Sequence, residues 1–451
     1  MKFIISRRRK RGLSTTQIIA CGFLVSMIIG MVLLILPVSS KDGTFTNPVD
    51  ALFTATTSVC VTGLTTVSVA EHWSVFGQIV IMILIQFGGL GIVTFTTAIL
   101  LLASKRITLK ERLLIKDAYN LSSLNGLVKL TKNILKGTVV CELCGAFLYS
   151  FVFVKDYGAY GIFYSIFNAV SAFCNAGMDL LGNNSLVIYR DSFLVNTVTM
   201  ILIILGGLGF PVWWDIVKNL KRKKKRHFQL HTKLVLTVTA ILIFGGMFLI
   251  LFIEYNNPDT LGNLSFPKKV QAAMFQSVTT RTAGFYTIHQ ENFTDASAFV
   301  SIILMFIGGS PSGTAGGVKT VTVAMIILTA YAIVKNKRDT EVFGRSISEQ
   351  NVRKGIAVFV ISFAVLLISM GTLSIVERAD FLDTLYECVS ALATVGLSRG
   401  ITAQLGVVGK IIIIITMYIG RIGPISLALF FNTNTKQKDV KHYPTADIHV
   451  G

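Results

Sequence analysis

Residues 47–63 read NPVDALFTATTSVCVTG, an amphipathic stretch that is too short to cross a bilayer and that ends in Gly63. Three more stretches share this plan: YGIFYSIFNAVSAFCNAG ends at Gly177, PKKVQAAMFQSVTTRTAG at Gly284 and ADFLDTLYECVSALATVG at Gly396. The four glycines recur about every 110 residues, and a fixed period of this kind indicates an internal repeat. The sequence therefore predicts one structural unit that is used four times.

The chain between these stretches is strongly apolar. Of 451 residues, 52% are hydrophobic and 14% are charged, whereas soluble chains carry about 25% charged residues. A helix needs about 20 residues to cross a hydrocarbon core, and eight apolar segments are long enough. We therefore expect an integral membrane protein. The eight segments lie near residues 16–37, 75–103, 134–154, 192–217, 233–254, 296–334, 353–376 and 405–431.

The basic residues predict the orientation of these spans. Most of the 42 Lys and Arg residues lie in the two terminal tails and in the connections 104–136, 218–233 and 335–354. Cytoplasmic loops carry such an excess, so both termini are predicted to lie on the cytoplasmic side of the cell membrane. The first apolar segment is expected to be a retained span rather than a cleaved signal. The opposite connections carry acids, which would attract cations.

Each predicted unit consists of a span, a short re-entrant helix, a glycine loop and a second span. Because every unit crosses the membrane twice, successive units enter from the same side and must be parallel. We expect an all-α integral membrane protein with eight transmembrane helices and four re-entrant pore helices around a pseudo-fourfold pore. Asp50 and Asp383 are predicted to begin their short helices, where the helix dipole favours a carboxylate. The four units cover residues 1–120, 121–230, 231–350 and 351–451, the last with a cytoplasmic tail.

The glycine loops are suited to binding cations through backbone carbonyls. Non-helical backbone at membrane depth is tolerated where protein buries it or a water-filled cavity hydrates it, which places the loops on the central axis. A ring of carbonyls can replace the hydration shell of a cation, and glycine takes the positive φ that turns carbonyls inward. Close helix packing is the alternative explanation for any single glycine. The predicted filter residues are Val59, Cys60, Val61, Thr62, Gly63, Phe173, Cys174, Asn175, Ala176, Gly177, Thr280, Arg281, Thr282, Ala283, Gly284, Leu392, Ala393, Thr394, Val395 and Gly396.

Arg281 is the one charged residue within these loops. A guanidinium that faced the ions would repel them, so we expect Arg281 to point behind the filter toward an acid. Glu387 is the candidate partner. Removing one member of such a buried pair would leave the other uncompensated, at a cost of roughly 3 to 5 kcal/mol.

The second span of each unit carries a further glycine cluster. Three clusters, QFGGLGIV from Gln86, LGGLGFP from Leu205 and IGRIGP from Ile419, fit either close packing or a role at the pore. The third-unit cluster, IGGSPSGTAGGVK from Ile307, differs because it contains five glycines and Pro311. Glycine and proline are the poorest helix formers, so this span is predicted to be interrupted.

The motifs SVCVTGL, AFCNAGM, TTRTAGF, ATVGL, GGSPSGTAGGVKT and YIGRIGP resemble those of the Trk/Ktr/HKT superfamily of potassium transporters, over nearly the whole chain. The chain looks most like the membrane subunit of bacterial Ktr systems. The resemblance implies a homodimer with one pore per protomer, Na+ dependence of uptake, no covalent cofactor and a cytosolic nucleotide-binding (RCK-type) ring subunit as regulator. It also implies potassium selectivity, with K+ bound at Gly63, Gly177, Gly284 and Gly396.

The same resemblance implies that the interrupted segment is an intramembrane gating loop and that Arg421 is a barrier below the filter. Depth can be counted from the predicted start of each span, near residue 296 for Gly308 and near residue 405 for Arg421. At about 1.5 Å per helical residue, Gly308 lies roughly 18 Å and Arg421 roughly 24 Å below the outer face. The loop and the arginine are therefore expected to meet near the axis. The predicted gate residues are Gly308, Gly309, Ser310, Pro311, Ser312, Gly313, Thr314, Ala315, Gly316, Gly317, Lys319 and Arg421.

Other classes of function fit the sequence less well. The net charge of +19 lies in short blocks between apolar runs, so the lipid bilayer is an expected partner and nucleic acid is not. An enzyme would need convergent catalytic groups, yet all six histidines lie outside the spans. A sodium- or proton-coupled secondary symporter remains the alternative. Glu142, predicted near a cytoplasmic end, is the clearest acid within a span for a proton relay.

Overall fold

In the computed structural model, the protein is described over residues 14–91, 93–95, 97, 100, 108, 111–113, 126–220 and 228–423. Within these ranges the regular structure is helical, apart from one antiparallel hairpin and two isolated bridges. The hairpin pairs Glu341–Val342 (β1) with Arg345–Ser346 (β2). The all-α class predicted from the sequence is therefore confirmed.

Four long helices open the four predicted units. By length and composition, each of them can cross a membrane. Their outer faces carry exposed apolar side chains, such as Phe252 at 84% and Ile375 at 85% exposure, which suit contact with lipid rather than water. The four helices are α1 (Thr15–Ile35), α5 (Leu127–Tyr157), α9 (Leu230–Glu254) and α13 (Glu349–Val376).

Four short helices follow the long ones, and each ends just before a predicted glycine loop. They are largely buried, and Phe53, Phe167, Phe275 and Tyr386 are each at most 1% exposed. They are shorter than a span and enclosed by other helices, and their re-entrant placement stays a prediction. They are α2 (Pro48–Cys60), α6 (Tyr160–Cys174), α10 (Phe266–Thr279) and α14 (Phe381–Ala393).

The second helices of the first and fourth units are short. The tetrapeptide helix α3 (Val69–His72) precedes α4 (Val75–Leu90), and the fourth unit closes with α15 (Val407–Ile422). The predicted span 75–103 lies only partly within the described residues, and the end of 405–431 lies outside them. The count of eight spans therefore stays a prediction.

The apolar segment predicted as a span over 192–217 in the second unit is bent. Helix α7 (Phe193–Gly207) and helix α8 (Phe210–Leu220) meet at an angle of 100°. Gly209 has φ +89°, a value that interrupts a right-handed helix and that glycine adopts at little cost. The apolar run continues through the bend, so run length alone gave no sign of it.

The interruption predicted in the third unit is confirmed. Helix α11 (Asp295–Phe306) ends before the glycine-rich segment, and helix α12 (Thr320–Val334) begins after it. Between them Ile307 and Val318 form a single parallel bridge, which closes the segment into a loop.

Two ion pairs hold the N-terminal ends of short helices. Asp50 and Asp383 lie in the first turns of α2 and α14, as predicted. Lys410 Nζ lies 2.7 Å from Asp50 Oδ1, and Arg399 Nε lies 2.6 Å from Asp383 Oδ1. Lys410 belongs to the fourth unit, so its pair with Asp50 joins the first and fourth units. Arg399 and Asp383 both belong to the fourth unit, so their pair stabilises that unit internally.

We expect Asp50→Asn to lower the thermal stability of the purified protein. The Asp50 and Lys410 side chains are each 16% exposed, so the loss should lie between that of a surface pair and a buried pair, about 1 to 3 kcal/mol. Arg353→Gln is the matched control, because Arg353 and Glu349 form a pair in which both side chains are 77% exposed. Equal melting temperatures for the two variants would contradict the expectation.

Candidate functional site

The four predicted glycines share an unusual backbone conformation. Their φ angles are all positive, a region that glycine enters readily and that a Cβ disfavours. The conformation required for carbonyls to turn inward is therefore present in every loop. The values are 106° at Gly63, 66° at Gly177, 83° at Gly284 and 95° at Gly396.

The four glycines form a closed ring. A Cβ added at any of them would overlap a backbone carbonyl oxygen of the next unit, at 2.6 Å or less. The first unit contacts the second, the second contacts the third, the third contacts the fourth, and the fourth contacts the first. Each loop therefore borders its neighbour in chain order around one centre. The pairs are Gly63 with Ala176, Gly177 with Ala283, Gly284 with Val395 and Gly396 with Thr62.

Two residues before each glycine, the chain is also left-handed, although no glycine stands there. For a side chain with a Cβ this conformation is strained, most of all for the β-branched valine and threonines. Strain of this kind is retained where the surroundings over-determine the backbone. Sequence reasoning missed it, because valine and threonine give no signal for positive φ. The residues are Val61 (φ 56°), Asn175 (61°), Thr282 (67°) and Thr394 (53°).

Hydroxyl groups anchor the loops to their short helices. Thr57 Oγ1 accepts a hydrogen bond from the Gly63 amide, and Ser390 Oγ accepts one from the Gly396 amide, both at 3.0 Å. Ser171 Oγ accepts one from Met178 at 3.0 Å. A hydroxyl residue six positions before three of the glycines was the signal that could have revealed these anchors.

The side chains of the loops are buried. Every non-glycine side chain among the predicted filter residues is buried, and Arg281 is the most exposed at 5%. An open cavity of about 410 Å3 lies above the ring and is lined by all four glycines. The surface that the loops present to this cavity is therefore mostly backbone.

The cavity wall favours cations. Its described lining includes Asp179 and Glu291 and no Lys or Arg. Asp179 Oδ1 accepts a hydrogen bond from the Leu181 amide at 3.0 Å, and burial raises the pKa of Asp179 to about 6. At neutral pH this cavity, the mouth of the ring, is therefore negatively charged, which raises the local concentration of cations.

Arg281 does not pair with Glu387, contrary to the prediction. The Arg281 guanidinium points to α9, where Nη2 lies 3.4 Å from Thr239 Oγ1. Glu387 instead accepts hydrogen bonds from Ser398, at 2.7 Å, and from Thr402. The two hydroxyls of the fourth unit satisfy Glu387, so this acid has no need of a cation. The expectation that Arg281 points behind the loops holds.

Three glycines of the second-span clusters press directly on the loops. A Cβ at Gly88, Gly206 or Gly420 would overlap the carbonyl oxygen of the residue that opens a loop. The sequence left open whether these glycines serve close packing or act at the pore. In the structure they pack closely against the loops that form the ring. The partners are Val59 for Gly88, Phe173 for Gly206 and Leu392 for Gly420.

The interrupted segment lies against the bend between α7 and α8. The Ser310 amide donates to Gly207 O at 3.0 Å, and the Thr314 amide donates to Gly206 O at 3.2 Å. The Phe210 amide, at the start of α8, donates to Ser312 O at 3.1 Å. The bend and the loop therefore satisfy each other's free backbone groups, as buried backbone requires.

The same segment reaches the ring from below. Thr314 Oγ1 lies 3.0 Å from Asn175 Oδ1 and 3.3 Å from Phe173 O, both in the second loop. A Cβ at Gly316 would overlap Thr394 of the fourth loop. Lys319 Nζ donates to Ala315 O at 2.7 Å and to Gly316 O at 3.3 Å, so the ammonium group of Lys319 closes the loop.

Arg421 meets this segment, as the depth estimate predicted. Its guanidinium donates to Thr314 O at 2.6 Å and to Gly88 O. One side chain of the fourth unit therefore ties the third-unit loop to the first unit. The contacts go to backbone carbonyls, so the positive charge of Arg421 has no acid paired with it within the described residues.

Glu142 is buried and lies near the middle of α5, which begins at Leu127 rather than near 134. Its position near a cytoplasmic end of the span stays a prediction. Gln86 Nε2 donates to Glu142 Oε2 at 3.4 Å, and the Cys174 thiol donates to Gln86 Oε1 at 3.5 Å. A buried acid is thus linked to the second loop.

Four glycine loops form a ring, and buried short helices carry these loops. Long helices with exposed apolar faces surround them. These features define a multi-pass membrane transport protein for cations. The family model of the TrkH cation transport proteins matches residues 11–443, and the chain belongs to this family.

The relatives and a solved structure agree with this assignment. The chain is 40% identical to the potassium/sodium uptake protein NtpJ of Enterococcus hirae, over 99% of this chain and 100% of that one. It is 40% identical to the Ktr system potassium uptake protein B of Bacillus subtilis, over 96% of each. The potassium transporter TrkH from Vibrio parahaemolyticus has the same fold, with a TM-score of 0.74 at 17% identity, over 94% of this chain and 86% of that one.

Cation uptake should depend on external pH through Asp179. As the pH falls through about 6, the carboxylate gains a proton and the mouth loses a negative charge, so uptake should fall. Asp179→Asn should reduce uptake about fivefold at neutral pH, since one charge at a few ångströms in water is worth about 1 kcal/mol, and should flatten the profile. Uptake measured from about pH 7 to about pH 5 checks this.

His289 and Glu291 line the same cavity and are present in both proteins, so the difference between the two profiles isolates Asp179. Parallel profiles for the parent and for Asp179→Asn would show that this carboxylate does not act on entering cations.

Proposed function

We propose that this chain is the potassium-translocating subunit of a Ktr-type uptake system and that K+ passes through the ring of Gly63, Gly177, Gly284 and Gly396. The observation that carries the proposal is the closed contact of each glycine with a carbonyl of the next unit. A K+ ion leaves water only where oxygens replace its hydration shell. Four loops that bring backbone carbonyls to one centre can supply those oxygens.

The chemistry of the loop atoms supports this proposal. The hydroxyls of Thr62, Thr282 and Thr394 are buried and have no hydrogen-bond partner among the described residues. Buried polar atoms without a protein partner are uncommon and call for an ion, a water or strain as their explanation. Hydroxyl oxygens beside the carbonyls would add neutral ligands for a hard monovalent cation. Potassium is named as a substrate of both relatives, from E. hirae and from B. subtilis.

The proposed assembly extends the sequence predictions. Eight spans in four parallel units, with both termini in the cytoplasm, would place the acidic cavity outside and the interrupted loop on the cytoplasmic side of the ring. The cyclic order of the glycine contacts supports the parallel arrangement. A homodimer with one pore per protomer, a cytosolic nucleotide-binding ring subunit and Na+-dependent uptake complete the proposal. NtpJ carries sodium as well as potassium in its name.

Arg421 and the loop 308–317 form the proposed gate. A cation that passes about 4 Å from a guanidinium meets a repulsion of about 4 kcal/mol at an effective dielectric of 20. Arg421 also holds Thr314 O, so the charge and the loop would move together. The loop has few internal hydrogen bonds and rests on the α7–α8 bend, which lets it shift without unwinding a helix.

A coupled secondary symporter is the second candidate, and Glu142 is the observation that favours it. This acid is 9% exposed, lies within a predicted span and reaches Cys174 of the second loop through Gln86. Buried acids at membrane depth mark proton paths in many carriers. K+ uptake measured with and without a proton gradient separates the two functions, because a pore does not need the gradient itself.

We expect Gly63→Ser to weaken the preference for K+ over Na+ at least about tenfold, equivalent to about 1.4 kcal/mol. A Cβ there would lie 2.6 Å from Ala176 O and would force the ring to deform. Competition uptake of the two ions measures the effect. Gly43→Ser is the matched control, since Gly43 also has a positive φ but no atom lies within 4 Å of its Cβ position. An unchanged preference at normal expression would refute the filter assignment.

Arg421→Ala should raise K+ flux through protein reconstituted in liposomes without its cytosolic partner. Removing the charge removes a barrier of up to about 4 kcal/mol and frees Thr314 O. Shortening the loop between Ser310 and Gly316 should act in the same direction. Arg421→Lys keeps the charge and should stay less active than the alanine variant. If the alanine and short-loop proteins remain folded and as closed as the parent, the gate is elsewhere.

A further inference from the structure

A groove at the start of α5 is not used by the proposed ion path. It encloses about 360 Å3 between α5 and α8, the helix that follows the 100° bend. The Trp213 ring packs against α5 at Gly137 and forms the floor of the groove. This approach depends on glycine, because a Cβ on Gly137 would lie 3.2 Å from the ring. Val140 and Trp214 remain 50% and 38% exposed at its sides. The groove is therefore a concave apolar surface that the rest of the described chain leaves uncovered.

One end of the groove is basic. Lys136 lines it, and Lys132 and Lys129 lie one and two turns earlier on the same side of α5, all three exposed. No acid pairs with these lysines within the described residues. In sequence, the six residues 221–226 that follow α8 are all Lys or Arg. The apolar groove thus has exposed lysines of α5 at one end, and the connection after α8 is basic in sequence, as expected for the side predicted to face the cytoplasm.

We propose that this groove binds the anionic phospholipid of the surrounding membrane. An acyl chain would lie along Val140 and Trp214, and the phosphate would meet Lys136. Tryptophan suits the boundary between headgroups and acyl chains, and a bend of 100° turns α8 from the direction of α7 toward the membrane plane. An anionic headgroup gains about 1 kcal/mol for each basic residue near the membrane surface. A zwitterionic lipid would fill the groove without that gain.

The occupied groove would act on the gate, a consequence that rests on the proposed function. The Trp213 ring lies 5.6 Å from the Phe173 ring, centroid to centroid, and Phe173 opens the second loop. The Phe210 amide of α8 donates to Ser312 O of the gate loop. A lipid that holds α8 in place therefore contacts the helix to which the gate loop is bonded. Anionic lipid is expected to change K+ flux at constant protein.

Binding is tested on the purified full chain in detergent by native mass spectrometry, with phosphatidylglycerol and phosphatidylcholine offered in equal amounts. The parent should retain phosphatidylglycerol preferentially. Lys136→Gln should weaken that retention about fivefold, the equivalent of about 1 kcal/mol for one basic residue. Lys354→Gln is the matched control, an exposed lysine at the start of α13 and away from the groove. Glycerol phosphate, which has no acyl chain, should not compete.

Three outcomes would overturn the lipid site. Equal retention of phosphatidylglycerol by the parent and Lys136→Gln would show that Lys136 does not bind the headgroup. Full competition by glycerol phosphate would identify a site for free phosphate. A change of oligomeric state in Trp214→Ala, with lipid retention unaltered, would identify the groove as a contact between copies.

Flux in liposomes separates the lipid site from the proposed function. If the parent retains phosphatidylglycerol but carries no K+ in any lipid, the proposed function fails and the lipid site stands. If K+ flux is present and its dependence on phosphatidylglycerol is the same in Lys136→Gln as in the parent, the coupling to the gate is overturned. The expected result is a lipid dependence that Lys136→Gln weakens and Lys354→Gln leaves intact.

Discussion

The close approach of four backbone segments at one centre constrains the rest of this structure. Each ring glycine has a carbonyl of the next unit where its own Cβ would stand, so the ring can close only with glycine at Gly63, Gly177, Gly284 and Gly396. The approach is enforced from outside as well, because further glycines of the second helices press on the carbonyls that open the loops. Short helices, bends and interruptions follow from bringing this much non-helical backbone into a membrane, where every polar group needs a partner.

Much of the fold could be predicted from the sequence, because glycine spacing and apolar run length are local signals. The four short helices, the first turns at Asp50 and Asp383 and the break before Thr320 are examples. The bend at Gly209 was missed because the apolar run continues through it. The partner of Arg281 was missed for a different reason, since Glu387 takes its hydrogen bonds from hydroxyls that no charge pattern reveals.

The site shows the same division between local and tertiary information. The ring glycines could be named from sequence because only glycine tolerates positive φ with a carbonyl in contact. The left-handed Val61 and Thr394 could not, because their conformation is imposed by the packing around them and not by their own preference. Their strain is borne where hydroxyls such as Thr57 and Ser390 hold the following glycine amides. The loops are therefore set by their anchors as much as by their glycines.

The third unit breaks the symmetry, and its departures belong together. Its short helix ends at Thr279, its cap at Thr280 is right-handed, and its loop holds the buried Arg281. Its second helix is interrupted, and the freed segment bonds to the second unit at the α7–α8 bend and to Arg421 of the fourth. Under the proposed function, a ring with fourfold contacts and one support that lacks helical hydrogen bonds would open from one side while the glycine contacts stay closed. Selection of the ion and control of its passage would then fall to different backbone segments, one held by close contact and one free of helical hydrogen bonds.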